Sequence, residues 1–90
     1  MGTTIAITRQ RGVGYRRTLR GQVNVCCHQV SYWYDITGVR ITDSVATRLE
    51  IEAEEWAETC IVQGYWSGEL NCLLDGEREV RGWWEIARGE

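Results

Sequence analysis

The adjacent residues Cys26, Cys27 and His28 are the first place in this 90-residue chain where metal or nucleophile chemistry could be sought. Zinc ligands usually lie about two to four residues apart, so that a turn brings them together, whereas neighbours on a strand point to opposite faces. The chain has one histidine, and nothing marks a third group that would orient a Cys–His pair. We therefore predict no metal site and no cofactor.

The segment Arg11-Gly12-Val13-Gly14-Tyr15 is the nearest approach to a phosphate-binding loop. It lacks the third glycine, the following helix and the lysine that such loops use, and it is typical of a turn. The many carboxylates fall on a helix surface, and paired acid and base roles need a cleft that a domain of this size scarcely provides. We therefore expect that the chain is not an enzyme.

The charges divide the chain into two halves of opposite sign. Residues 1–42 contain six arginines and one acid, for a net charge of +5, and residues 43–90 contain four arginines and twelve acids, for −8. The total of −3 hides this division. Two interpretations stay open: the halves face charged partners, or they fold against each other and neutralise internally.

Length and composition predict a single domain over residues 1–90, because a core grows well past this size before a chain divides. With 43% hydrophobic residues, including five Trp, the chain can offset its ordering entropy. It has no apolar run of ~20 residues and no signal-peptide pattern, so we expect a cytoplasmic protein that does not enter a membrane. The four cysteines are expected to be reduced, with Cys60 and Cys72 on apolar faces.

The first half has the period-two alternation of β-strands. The alternating apolar positions are Ile5 and Ile7, then Leu19, Gly21, Val23, Val25 and Cys27, then Val30, Tyr32, Tyr34 and Ile36. Because side chains alternate strictly, the change of parity before Val30 predicts a bulge or a turn near His28 and Gln29. Thr37-Gly38 marks a further turn.

One amphipathic helix is predicted over about residues 43–63. Thr42, Asp43 or Ser44 can cap it, and Gly64 suits the left-handed position after its end. The apolar stripe follows spacings of three and four and consists of Val45, Leu49, Ala53, Trp56 and Cys60. The opposite face carries four glutamates together with Ile51 and Val62, which indicate either isolated exposed residues, a second packing surface or part of a partner site.

The last segment is predicted to be a β-hairpin around Asp75-Gly76. A loop with an odd number of residues places Cys72 opposite Val80 and Leu70 opposite Gly82, which brings the apolar sets to one face. The residues left on the outward face are Glu69, Asn71, Glu79, Arg81, Trp83 and Glu85. The predicted fold class is therefore α+β, with an antiparallel sheet of about four to five strands packed on one helix.

Four short motifs carry a family resemblance over roughly the C-terminal half. They are Ala53-Glu54-Glu55-Trp56, Ile61-Val62-Gln63-Gly64-Tyr65, Ser67-Gly68-Glu69-Leu70 and Gly82-Trp83-Trp84-Glu85-Ile86. This pattern resembles that of small, mostly uncharacterised bacteriophage and prophage proteins. The resemblance implies phage origin, where short acidic α+β proteins are often inhibitors of host defence, including anti-CRISPR proteins. It carries no assigned functional residue.

The leading hypothesis is a protein-binding inhibitor in the host cytoplasm that covers a basic, nucleic-acid-binding surface of a host or defence protein. Its expected partner-binding residues are Glu50, Glu54, Glu55, Glu58, Glu69, Glu79 and Trp83. The alternative is a nucleic-acid binder whose phosphate contacts are Arg9, Arg11, Arg16, Arg17 and Arg20. In that alternative Tyr15, Tyr32, Trp33 or Tyr34 stacks on the bases. A third possibility is a homodimer in which the basic hairpin of one copy meets the acidic helix of the other.

Overall fold

The structure, a computed structural model, describes residues 3–10 and 14–87, with side chains from residue 16 onward. The described chain forms β1 (Thr3–Gln10), β2 (Gly14–Val25), β3 (His28–Asp35), α1 (Asp43–Val62), β4 (Ser67–Leu74) and β5 (Arg78–Ile86). The strands form one antiparallel sheet in the order β1-β2-β3-β5-β4, and α1 packs against one of its faces. The predicted α+β fold is confirmed.

A two-residue turn joins β2 to β3. Cys26 and Cys27 form it with φ values of +50° and +67°, and Val25 and His28 are the closing pair. Positive φ at both central residues is the geometry of the type I′ turn, which matches the twist of a hairpin. The turn explains the change of apolar parity, because it pairs odd positions of β2 with even positions of β3. It begins two residues earlier than predicted, so Cys27 is not a strand residue.

The helix begins and ends at the capping residues that the sequence predicted. The Thr42 hydroxyl accepts a hydrogen bond from the Val45 N–H at 3.3 Å, which caps the N-terminus. At the other end Gly64 has φ +99°. Its N–H donates to the Ile61 carbonyl at 2.9 Å, and the Tyr65 N–H donates to the Cys60 carbonyl at 3.0 Å. This is the Schellman arrangement, which satisfies carbonyls that the last turn leaves open.

The helix packs through small residues. Its fully buried positions are Leu49, Ala53 and Ala57, whereas Trp56 is 39% exposed. The prediction that Trp56 is a core residue was therefore wrong. The sheet supplies the bulk of the core through Trp84 and Tyr34, both at 0% exposure, and alanines let the helix approach these rings closely. A tryptophan facing the same rings would hold the helix away.

The register of the C-terminal hairpin is as predicted. Leu70 pairs with Gly82 and Cys72 pairs with Val80. The last pair, Leu74 and Arg78, leaves a three-residue loop. This register turns the apolar residues of both strands toward the helix and their alternate residues to the open face of the sheet.

Candidate functional site

The outward side of α1 and its flank beside β2 together form a surface that we name the acidic helix face. Its residues are Glu50 and Glu54 on the flank, and Ile51, Glu55, Glu58 and Val62 on the outward side. Glu50 is half-buried, and the other three glutamates are exposed. Ile51 and Val62 are 46% and 76% exposed. Ile51, Glu55, Glu58 and Val62 follow one another at spacings of four, three and four, which places them along one ridge on the side away from the sheet. The ridge is about 16 Å long at the rise of an α-helix.

The charge of this face is not neutralised by the arginine-rich half of the chain. The ion pairs of the described part are Arg16–Asp35 at 3.7 Å, Arg48–Glu52 at 3.7 Å and Arg81–Glu79 at 3.4 Å. Each of them joins two residues of the same half. Over the described side chains, internal neutralisation of the two halves therefore finds no support, and the acids of the helix keep their field toward solvent.

The remaining acids expected at the partner site lie elsewhere. Glu69 and Glu79 alternate with the buried residues Leu70 and Val80, so they stand on the open face of the sheet, opposite the helix. Trp83 pairs with Glu69 and lies on that same face. The structure thus brings the four helix glutamates together and separates them from the three hairpin residues by the thickness of the sheet.

The open face of the sheet holds a second candidate surface. Its central row, read across four strands, is Arg20, Trp33, Trp83 and Glu69. Trp33 is 36% exposed. Beside the row is a shallow hollow of about 260 Å³ to which Arg16, Asp35 and Arg81 also contribute. The Trp33–Trp83 neighbourhood was not predicted, because it exists only where β5 lies next to β3.

An internal ion pair already engages part of this hollow. The Arg16 Nε lies 3.7 Å from the Asp35 carboxylate, and the Thr37 backbone N–H donates to the same carboxylate at 3.0 Å. The Thr37 side chain is the largest cause that lowers the pKa of Asp35, with smaller contributions from the Thr37 N–H and Arg16. The carboxylate is therefore ionised at neutral pH and partly offsets the arginine.

The predicted nucleic-acid residues do not form one patch. Arg16 and Arg20 share the open face, whereas Arg17 points to the helix side and donates to the Val39 carbonyl at 3.1 Å. Tyr32 and Tyr34 are 2% and 0% exposed, so of the four residues considered for base stacking these two are too deeply buried to reach a base. The Arg9 and Tyr15 side chains and the whole of Arg11 lie outside the described residues.

Both buried tyrosines are held in their neutral form. Burial raises the pKa of Tyr32 to about 12, and the nearby Glu50 carboxylate adds to the effect. Burial also raises the pKa of Tyr34, whose hydroxyl donates to the Leu49 carbonyl at 2.9 Å. The Tyr34 hydroxyl anchors the helix to the sheet, whereas the Tyr32 hydroxyl lies against Gly21 of β2 and has no hydrogen-bond partner among the described residues.

The cysteines are dispersed. Cys26 and Cys27 are exposed in the first turn, Cys60 is half-buried and Cys72 is buried, where desolvation raises the pKa of its thiol. The described residues contain no group of three or more His, Cys, Asp or Glu side chains placed to hold a metal ion. Within that same part of the chain, no helix combines the length and the apolar character needed to span a bilayer.

The described residues therefore form two candidate binding surfaces, the acidic helix face and the tryptophan row of the open sheet face. No protein-family model, curated protein or solved structure matches the chain.

Proposed function

We propose that this protein is an inhibitor that binds another protein through the acidic helix face and thereby covers a basic, nucleic-acid-binding surface on it. The observation that carries the proposal is the clustering of four glutamates on a helix face that no described arginine neutralises. Acidic residues on a helix often do no more than solvate its surface. The placement of these four glutamates is distinguished by its effect on the stability of the helix.

The placement of these glutamates works against the stability of the helix. Glu54 has Glu50 and Glu58 one turn away on either side, and like charges at that spacing cost about 0.2–0.5 kcal/mol each. The last turn contains no basic residue, although a cation there would interact favourably with the helix dipole. Such a cost in stability is typical of a functional surface, because binding and stability compete for the same residues.

The chemistry of the surface specifies the partner. Carboxylates on successive turns stand about 5–6 Å apart at their Cβ atoms and present a row of negative charge to arginines and lysines. Ile51 and Val62 lie at the two ends of the outward ridge, on either side of Glu55 and Glu58, and supply apolar contact. A groove that normally holds a nucleic-acid backbone offers basic residues in such a row. The complex should form quickly and weaken as salt is added.

The resemblance to phage proteins supplies the setting of the proposal. A phage protein that covers a nucleic-acid-binding surface in the host cytoplasm would act against host defence, as anti-CRISPR proteins do. The proposed action against host defence depends on the resemblance and not on the geometry of the helix. The binding mode can be tested without it.

The test compares two variants from which the same number of charges has been removed. In one, Glu50, Glu54, Glu55 and Glu58 become Gln; in the other, Glu69, Glu77, Glu79 and Glu85 become Gln. Each protein is immobilised and exposed to bacterial host lysate over a series of salt concentrations, and captured proteins are identified and tested for nucleic-acid binding. We expect the native chain and the hairpin variant to capture a nucleic-acid-binding protein that added nucleic acid displaces, whereas the helix variant captures none.

Two outcomes would contradict the proposal. Capture that is unchanged in the helix variant would show that the helix glutamates are not the binding surface. Capture that nucleic acid does not displace would show that the partner's basic groove is not the target. Circular dichroism of both variants verifies that they remain folded.

A second candidate function, nucleic-acid binding, is favoured by the register of the open sheet face. Arg20 stands directly opposite Trp33, and Arg16 borders the same hollow. An exposed indole beside two guanidinium groups is suited to stack a base while the phosphates are held. Quenching of tryptophan fluorescence by single-stranded DNA, abolished by Arg16→Gln with Arg20→Gln, would support this function over the first.

A further inference from the structure

Strand β4 lies at an edge of the sheet, and part of its backbone faces outward. The Ile86 N–H donates to the Trp66 carbonyl at 2.9 Å, which sets the alternation of hydrogen bonds between β4 and β5. In an antiparallel ladder alternate residues bond to the neighbouring strand, so even positions of β4 bond to β5. The odd positions Ser67, Glu69, Asn71 and Leu73 therefore direct their N–H and C=O groups away from the sheet.

Large apolar side chains are exposed around the same edge. Leu73 of β4 is 52% exposed, and Tyr65 just before the strand is 59% exposed. Trp56 is 39% exposed and lies on the flank of the helix opposite Glu50 and Glu54. Glu50 and Glu54 border β2, and the helix also packs on β4, so the Trp56 flank is on the side of β4. An edge strand of eight residues without proline, lysine or bulge has little protection against pairing with another strand.

The sequence of β4 is compatible with a second copy of itself. Two copies related by a two-fold axis perpendicular to the sheet keep their helices on one side only if paired residue numbers have an even sum. With Asn71 on the axis, Glu69 lies opposite Leu73 of the other copy, and Leu70 lies beside Cys72 on the helix side. Glu69 is the only charged residue of β4, so this register places no like charges opposite each other.

We propose that β4 pairs antiparallel with β4 of a second copy around Asn71, joining two five-stranded sheets into one of ten strands. The pairing satisfies the outward peptide groups of both strands and brings the two Trp56 flanks toward one seam above the sheet. It leaves the acidic helix face outside the interface, so the dimer does not depend on the proposed inhibitory function.

The experiment measures molecular mass by sedimentation equilibrium from micromolar to near-millimolar concentration. We expect the native chain to reach twice its 10.4 kDa mass. Asn71→Pro removes an outward N–H that the monomer does not use, and it should leave the chain monomeric and folded. Leu73→Asp places a carboxylate opposite Glu69 of the other copy and should raise the dissociation constant at least tenfold.

Ile51→Asp is the matched control, since Ile51 and Leu73 are similarly exposed, at 46% and 52%. It should leave the dimer intact. A native chain that stays monomeric throughout would overturn the proposal, and so would a dimer that survives Leu73→Asp or one that Ile51→Asp dissociates equally. Should Asn71→Pro unfold the chain by circular dichroism, Leu73→Asp still decides, because it changes only an exposed side chain.

Discussion

Replacing Glu54 by lysine should stabilise the fold, although it inverts a charge in the middle of the surface that we assign to binding. Glu54 is exposed, and Glu50 and Glu58 lie one turn before and after it. The substitution removes two repulsive pairs and creates two attractive ones, with each change worth about 0.2–0.5 kcal/mol. Glutamate and lysine have nearly equal helix propensity, so the change in pairing dominates.

The expected gain is about 1 kcal/mol, toward the lower end of the sum because exposed pairs are screened. For a domain of this size such a gain raises Tm by about 4–8 °C. Thermal unfolding followed by far-ultraviolet circular dichroism should show this rise at about 10 mM salt. It should disappear near 1 M salt, where the screening length is only about 3 Å.

Glu77→Lys provides the control, because Glu77 lies in the loop between β4 and β5 and has no helical neighbours. It changes the net charge of the chain by the same amount. If Glu54→Lys were no more stable than Glu77→Lys, or if its advantage persisted at high salt, the repulsion inferred along the helix would be absent. Under the proposed function Glu54→Lys should also weaken partner capture, so that stability and binding change in opposite directions.

Three further predictions concern the core. Trp84→Ala should lower the free energy of unfolding in urea by about 3–5 kcal/mol, and Trp56→Ala by clearly less, because only the first side chain is fully buried; equal losses would place Trp56 in the core after all. Because Tyr32 and Tyr34 have raised pKa values, the folded state holds their protons more tightly than the unfolded state does. Their contribution to the free energy of unfolding should be fully present below about pH 10 and should fall as the pH rises from about 10 to 12. A urea midpoint that stays constant across this range would contradict the burial of both hydroxyls. Gly82→Ala should prevent folding as judged by circular dichroism, because its Cβ would overlap a backbone carbonyl of β3, and a normally folded variant would refute the close approach of the strands.

Local chemistry in the sequence was sufficient to predict the elements and one hairpin register. Residue type alone predicted the left-handed Gly64 and limited the helix cap to Thr42, Asp43 or Ser44, of which the structure has Thr42. The odd loop that pairs Cys72 with Val80 follows from parity, because a loop with an even number of residues would turn one apolar set to solvent. Each of these features depends on residues close together in the chain.

Features that depend on distant residues could not be predicted in the same way. A helix rotates by about 100° per residue, so apolar periodicity alone cannot decide whether Trp56 or Ala57 faces the sheet. The rings of Trp84 and Tyr34 fill the space between the sheet and the helix, so that the small side chain of Ala57 fits there and that of Trp56 does not. Likewise, the Trp33 neighbourhood on the open face requires β5 to lie between β3 and β4, and no local pattern specifies that order.

The large core side chains come from the sheet and the small ones from the helix, which explains why the acidic helix face can bind a partner without affecting the core. The sheet contributes the large core side chains, and the helix meets them with Leu49 and two alanines. The helix is therefore held by a narrow stripe and by the hydrogen bond from the Tyr34 hydroxyl to its backbone, neither of which involves an outward residue. Substitutions at Glu54 or Ile51 consequently leave the contacts of the core unchanged. A loss of partner binding at these positions with an unchanged or higher Tm would report on the surface alone.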